Sequence, residues 1–230
     1  MLHGCKKGEK MGSRTKNTVR NIIFGIINKM VTIILPFIMR TVIIYILGTE
    51  YLGLNSLFTS ILQVLNLTEL GFGNALVYSM YKPLAEKDDK KVCQLLNYYK
   101  QCYKIIGTIV LAIGIIIIPF LNNFIAGEHP ANINIYFIYI IYLVNTTLSY
   151  FLYAYKGSLL IADQRNDINS NISTVLSILQ NILQIIVILL MKNYYYYIAI
   201  LPIITVANNL ITAKIVNKKY PQYNTKSEIL

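Results

Sequence analysis

Charge, histidine and cysteine are all scarce in this 230-residue chain, and each shortage excludes a class of protein. Charged residues make up 13% and hydrophobic ones 55%, whereas an ordinary soluble domain carries roughly a quarter of its residues as charges. The charges that exist are bunched between apolar runs too long for a soluble core, which implies a polytopic membrane protein. Only two histidines, His3 and His129, are present, and they leave no His-rich metal motif. The three cysteines, Cys5, Cys93 and Cys102, have neither metal-ligand spacing nor an even-numbered framework, so no disulfide or zinc site is expected. There is no P-loop and no Gly-rich dinucleotide fingerprint, and Gly71, Phe72 and Gly73 make a small-residue break, not a phosphate cradle. Accordingly no enzyme site and no cofactor are expected.

What is present is long hydrophobic runs and basic residues. A net charge of +11 would suggest nucleic acid in a soluble chain. Here the Lys and Arg residues sit between apolar spans and serve as topology signals, so no nucleic-acid partner is expected. A spanning helix needs about 20 mainly apolar residues, and six segments qualify: Asn21 to Leu47, Leu54 to Met80, Ile105 to Leu121, Ile133 to Tyr155, Ile172 to Met191 and Tyr195 to Val216. The fold class expected is therefore all-α, a six-helix transmembrane lobe over residues 21–216 between a basic tail (1–20) and a C-terminal segment (217–230). The intervening loops are Gly48 to Gly53, Lys82 to Lys100, Asn122 to Asn134, Lys156 to Asn171 and the tight Lys192 to Tyr194 turn. With these spans, 18 of the 21 Lys and Arg residues fall on one side and only Lys192 on the other, so both termini are expected in the cytoplasm. Asp163, Arg165 and Asp167 are expected to form a solvated turn on that side.

Three charged residues fall inside the spans: Lys29, Arg40 and Glu69. Each costs about 2.5–3.5 kcal/mol on insertion scales, so each is a functional candidate. Lys29 and Arg40 are eleven residues apart, which at about 100° per residue returns to nearly the same azimuth, with Pro36 between them as a kink site. Snorkelling to the two membrane surfaces is the alternative for both, and a Lys29–Glu69 ion pair is compatible with their depths. The second span carries a polar stripe of Asn55, Thr59, Gln63, Asn66, Glu69 and Gly73. The fifth repeats it with Ser173, Ser177, Gln180 and Gln184, and the sixth with Thr205, Asn208, Asn209 and Thr212. Interhelical glue explains one or two such residues per helix; stripes on several helices fit a water-filled cavity better. The third span has only Gly107, Thr108, Gly114 and Pro119 among aliphatics and is expected to face lipid or a neighbour at close range.

The stretch from Gly48 to Lys91 resembles the opening of Wzx-type polysaccharide (O-antigen) flippases, within the multidrug, oligosaccharidyl-lipid and polysaccharide exporter superfamily. The resemblance rests on Tyr51-Leu52-Gly53, Glu69-Leu70-Gly71-Phe72-Gly73-Asn74-Ala75 and Tyr81-Lys82-Pro83-Leu84-Ala85. Ile161-Ala162-Asp163-Gln164-Arg165 and Lys219-Tyr220-Pro221 add to it. It implies one lobe of a two-lobed transporter that moves undecaprenyl-pyrophosphate-linked oligosaccharide units across the bacterial cytoplasmic membrane. With six spans where that family has twelve to fourteen, the chain is expected to be an N-terminal half. Lys29, Arg40, Asn66, Glu69, Ser177, Gln180 and Gln184 are then the expected cavity residues. The expected partners are the lipid-linked sugar, membrane lipid, a second lobe or a second copy, and the polymerase and glycosyltransferases of polysaccharide assembly. Two other readings stand beside this one: a cation-coupled multidrug exporter of the same superfamily, which would want more membrane acids than Glu69, and a non-transporting scaffold that recruits glycosyltransferases through the loop from Lys82 to Lys100.

Overall fold

A computed structural model describes residues 5–125, 130 and 133–223; the side chains of 5–17 and 67–72 are outside the description, and with them those of Cys5 and Glu69, as are His3 and His129 entirely. The described residues are helical, with no strand among them. The helices are α1 (Cys5–Ile46), α2 (Thr49–Glu86), α3 (Asp89–Ile117), the short α4 (Leu121–Phe124), α5 (Ile135–Phe151), α6 (Ala154–Ala162), α7 (Asn166–Met191) and α8 (Tyr194–Lys219).

Local chemistry sets the breaks. Gly48, at φ 113°, supplies the left-handed residue between α1 and α2, a conformation that glycine adopts without a Cβ penalty. Lys87 closes α2 in the left-handed region, and the Asp88 side chain accepts from the Lys91 backbone N–H at 3.0 Å to start α3. Lys192 and Asn193 make the tight turn before α8, as expected, with Asn193 accepting from the Tyr195 N–H at 2.9 Å. Pro36 lies inside a single uninterrupted helix.

Two stretches expected as loops are helical instead. Between Lys82 and Lys100 only residues 87 and 88 leave the helix, because Val92, Leu96, Tyr99 and Tyr103 recur at helical spacing and are all buried. The segment named in the scaffold reading is therefore the junction of α2 and α3, not an extended loop. Between Lys156 and Asn171 the chain forms α6 and the first turn of α7. The fourth expected span is bent by 52° between α5 and α6, where Tyr153 takes a left-handed φ of 52°.

Four described helices are long and apolar enough to cross a membrane, or five if the bent α5–α6 pair counts as one span. α2, expected as the second span, is not among them; its polar residue at nearly every turn lowers its hydropathy below that of its neighbours. The outer surface is strongly apolar, with Phe37 72% exposed and Leu190 78%. The interior is also mainly apolar, with Phe58, Ile138 and Leu159 at 0%, but it admits a minority of polar side chains such as Gln184 at 2% and Asn209 at 7%. An apolar outer surface, with the polar side chains kept inside, is the arrangement that hydrocarbon solvent favours.

α1 packs on α7, α7 on α8, α8 on α5, α5 on α3, and α3 on α2. Gly107 and Gly114 let α3 approach α5 closely: a Cβ on Gly107 would lie 2.7 Å from the Tyr150 Cβ, and one on Gly114 would overlap the Leu143 side chain. The third span thus packs at close range on a neighbour, with Tyr139 Oη donating to the Gly114 carbonyl at 3.1 Å.

Candidate functional site

Besides a cavity of about 610 Å³ at the charged end, lined by Tyr81, Lys82, Asp163 and Gln164 among others, two polar cavities gather several of the expected site residues. The smaller, about 350 Å³, is a groove between α1, α2, α7 and α8. It is lined by Arg40 and Pro36, by Asn55, Thr59 and Gln63 of α2, and by Gln180, Asn181, Gln184 and Tyr197. The larger, about 560 Å³, opens beneath the α5–α6 bend and is lined by Ser158, Ser173, Ser177, Gln180, Asn208 and Thr212 among others. Gln180 borders both.

Arg40, Gln180 and Gln184, all expected cavity residues, therefore meet in one groove, and Ser177 and Gln180 meet in the other cavity. Gln184 is held there by its amide, which donates to the Tyr197 carbonyl at 3.2 Å. Arg40 is exposed along the groove, and no acidic residue lines it. Lys29 is exposed on α1 and lines neither cavity. Asn66 lines neither; its side-chain oxygen accepts from Tyr150 Oη at 2.8 Å, an interhelical bond. Asn55 likewise accepts from Tyr142 Oη while facing the groove. The α2 stripe thus serves both as glue and as groove wall. Ser158 and Asn169 were missed at the sequence level because they fall in a stretch expected as a loop. The signal was available in Tyr155, Ser158, Leu159 and Ala162, which recur at helical spacing and are buried.

One end of the bundle is charged and tightly tied. Asp167, expected as part of a solvated turn, is 4% exposed. Its carboxylate lies 2.8 Å from Arg20 Nε and 3.0 Å from Arg165 Nε. Asn21 reaches the same turn: its side-chain oxygen accepts from the Asp167 N–H and its amide donates to the Gln164 carbonyl, both at 2.9 Å. The reason is long-range packing of α1 against the start of α7, which brings a base from 147 positions away. Tyr220 donates to Asp163, with Lys219 3.9 Å from the same carboxylate. Burial, and then that carboxylate, push the Tyr220 hydroxyl well above the usual tyrosine value, so it remains a donor. At the opposite end, where Tyr51 packs on Tyr194 and Tyr195 Oη accepts from the Asn134 N–H, Lys192 supplies the basic residue of the turn into α8.

Long apolar helices, an apolar exterior and polar interior cavities define a multi-pass membrane protein. The family model for polysaccharide biosynthesis proteins matches residues 18–229. The chain belongs to that family, and its involvement in polysaccharide synthesis or export follows. No curated protein and no solved structure matches the chain.

Proposed function

We propose that this protein is a transporter, not an enzyme, and translocates undecaprenyl-pyrophosphate-linked oligosaccharide units for capsule or O-antigen assembly across the bacterial cytoplasmic membrane. The observation that carries the reading is Arg40, a guanidinium within the apolar stretch of α1, set in a groove of amides and hydroxyls with no acidic lining residue. A buried or membrane-depth cation needs an anion or water to compensate it. A pyrophosphate supplies that anion, and the planar guanidinium matches its oxygens bidentately. Lys29, about 16 Å along α1 from Arg40 and exposed outside both cavities, is too distant to share that head group and would meet the anion at a different stage of its passage. Ser177, Gln180 and Gln184 complete the polar path. The same groove disfavours a cationic drug as cargo.

The reading includes six crossings, with the bent α5–α6 pair as one span and α2 as another, and both termini in the cytoplasm. The segregation of Arg20, Lys87, Arg165 and Lys219 at one end against Lys192 at the other supports that orientation. A second lobe or a second copy of the chain would close the exposed side of α1.

The test is replacement of Arg40 by Lys and by Gln in the chromosomal gene, with surface polysaccharide read at matched protein level. Arg40→Gln should lower export by at least about tenfold, and Arg40→Lys should also lower it because the bidentate fork is lost while the charge stays. Wild-type export from both variants would remove Arg40 from the mechanism.

A further inference from the structure

The larger cavity has hydrogen-bonding capacity that the protein does not use. Ser158, Ser173, Ser177, Asn208 and Thr212 line it, and their side chains make no hydrogen bond with any described residue. Ser158 is 6% exposed and Thr212 9%, while Ser173, Ser177 and Asn208 are half-buried, so the polar groups that face the cavity are reached only through it. A buried hydroxyl or amide left unpaired costs on the order of 1–3 kcal/mol, and in a membrane protein lipid cannot satisfy it. Whatever fills the cavity therefore forms hydrogen bonds.

The lining also limits what that filling can be. No Lys, Arg, Asp or Glu lines the cavity, so it offers nothing to neutralise an ion of either sign. Hydroxyls and amides each donate and accept, which matches a neutral ligand rich in hydroxyl and acetamido groups. The volume of about 560 Å³ falls in the range of small-molecule sites, about 300–1,000 Å³. Gln180 borders both this cavity and the Arg40 groove, so one molecule with an anionic part and a neutral polar part can engage both.

We infer that the larger cavity is the binding site for the uncharged sugar rings of the transported lipid, adjoining the Arg40 groove that takes the anionic head. The inference rests on the transport reading above and adds to it the part of the substrate that each cavity selects. It makes the protein a reader of sugar as well as of pyrophosphate. The site lies at the 52° bend between α5 and α6, with Ser149 of α5 and Ser158 of α6 both in its lining.

Full-length protein in lipid nanodiscs should be titrated with two probes: a polyprenyl pyrophosphate bearing a neutral disaccharide, and the same polyprenyl pyrophosphate without sugar. Wild type should bind the sugar-bearing probe at least about tenfold more tightly, the equivalent of one or two net hydrogen bonds. Asn208→Leu, which fills the cavity with an apolar group, should abolish that preference and leave affinity for the sugar-free probe unchanged. Arg40→Gln should weaken both probes. Should Asn208→Leu not fold, the Ser173→Ala, Thr212→Val double variant carries the same expectation with a smaller, severalfold loss. Equal wild-type affinity for the two probes, or a preference that survives these variants, overturns the sugar site, leaves the transport reading standing and makes the cavity a solvent-filled void. Failure of wild type to bind either probe overturns both.

Discussion

Replacing Asp167 by Ala should release the start of α1 from the bundle. The carboxylate is 4% exposed and pairs with Arg20 at 2.8 Å and Arg165 at 3.0 Å. Removing one member of a buried ion pair costs about 3–5 kcal/mol, mainly because the partner charge is left uncompensated. Both guanidinium side chains here retain 29% exposure, so water recovers part of that loss and about 2–3 kcal/mol is expected. The two arginines left facing each other add repulsion. Reversible unfolding in mixed micelles gives the global value. Disulfide cross-linking between cysteines placed at Asn28 and Thr174, whose side chains bond at 2.9 Å, reports the local one and should fall in Asp167→Ala. A double-mutant cycle with Arg20→Gln should return a coupling of about 1–2 kcal/mol. Stability within about 0.5 kcal/mol of wild type, together with unchanged cross-linking, would refute the claim that this cluster fastens α1.

Three shorter predictions test other parts of the account. Gly107→Ala puts a Cβ 2.7 Å from the Tyr150 Cβ and should destabilise by about 1–3 kcal/mol, whereas Gly25→Ala, with nothing within 4 Å, should be neutral or slightly stabilising; equal effects would contradict the close α3–α5 approach. Single cysteines at Gly48 and Lys87 should label from opposite sides of the membrane, and labelling from one side would show that α2 does not cross. Lys29→Ala should lower surface polysaccharide at matched protein level, and an unchanged amount would assign Lys29 to the membrane surface.

Helix type and most breaks are local properties, and the sequence carries them: Gly48 and the Lys192–Asn193 turn fall where composition puts them. The N-terminal half of α3 was hidden because Lys90, Lys91 and Lys100 mask the apolar spacing of Val92, Leu96, Tyr99 and Tyr103, a stripe buried only against other helices. The α5–α6 bend turns on one backbone conformation, that of Tyr153, and a tyrosine gives no advance sign of it. Asp167 could not be read as buried because its partner Arg20 is remote in the chain. At the candidate site, the polar spacing on α7 was legible, and it does bring Gln180 and Gln184 to Arg40. Which of two adjacent cavities each residue would line depends on how α7 is rotated against α1 and α8, which no single-helix pattern contains.

Reconstitution tests the central claim most directly. Protein purified from its native host should be placed in proteoliposomes with a fluorescent polyprenyl-pyrophosphate-linked disaccharide, and movement between leaflets followed by an impermeant quencher. The account predicts leaflet exchange faster than in protein-free liposomes, slowed by Arg40→Gln. Exchange by wild type no faster than in protein-free liposomes would contradict it.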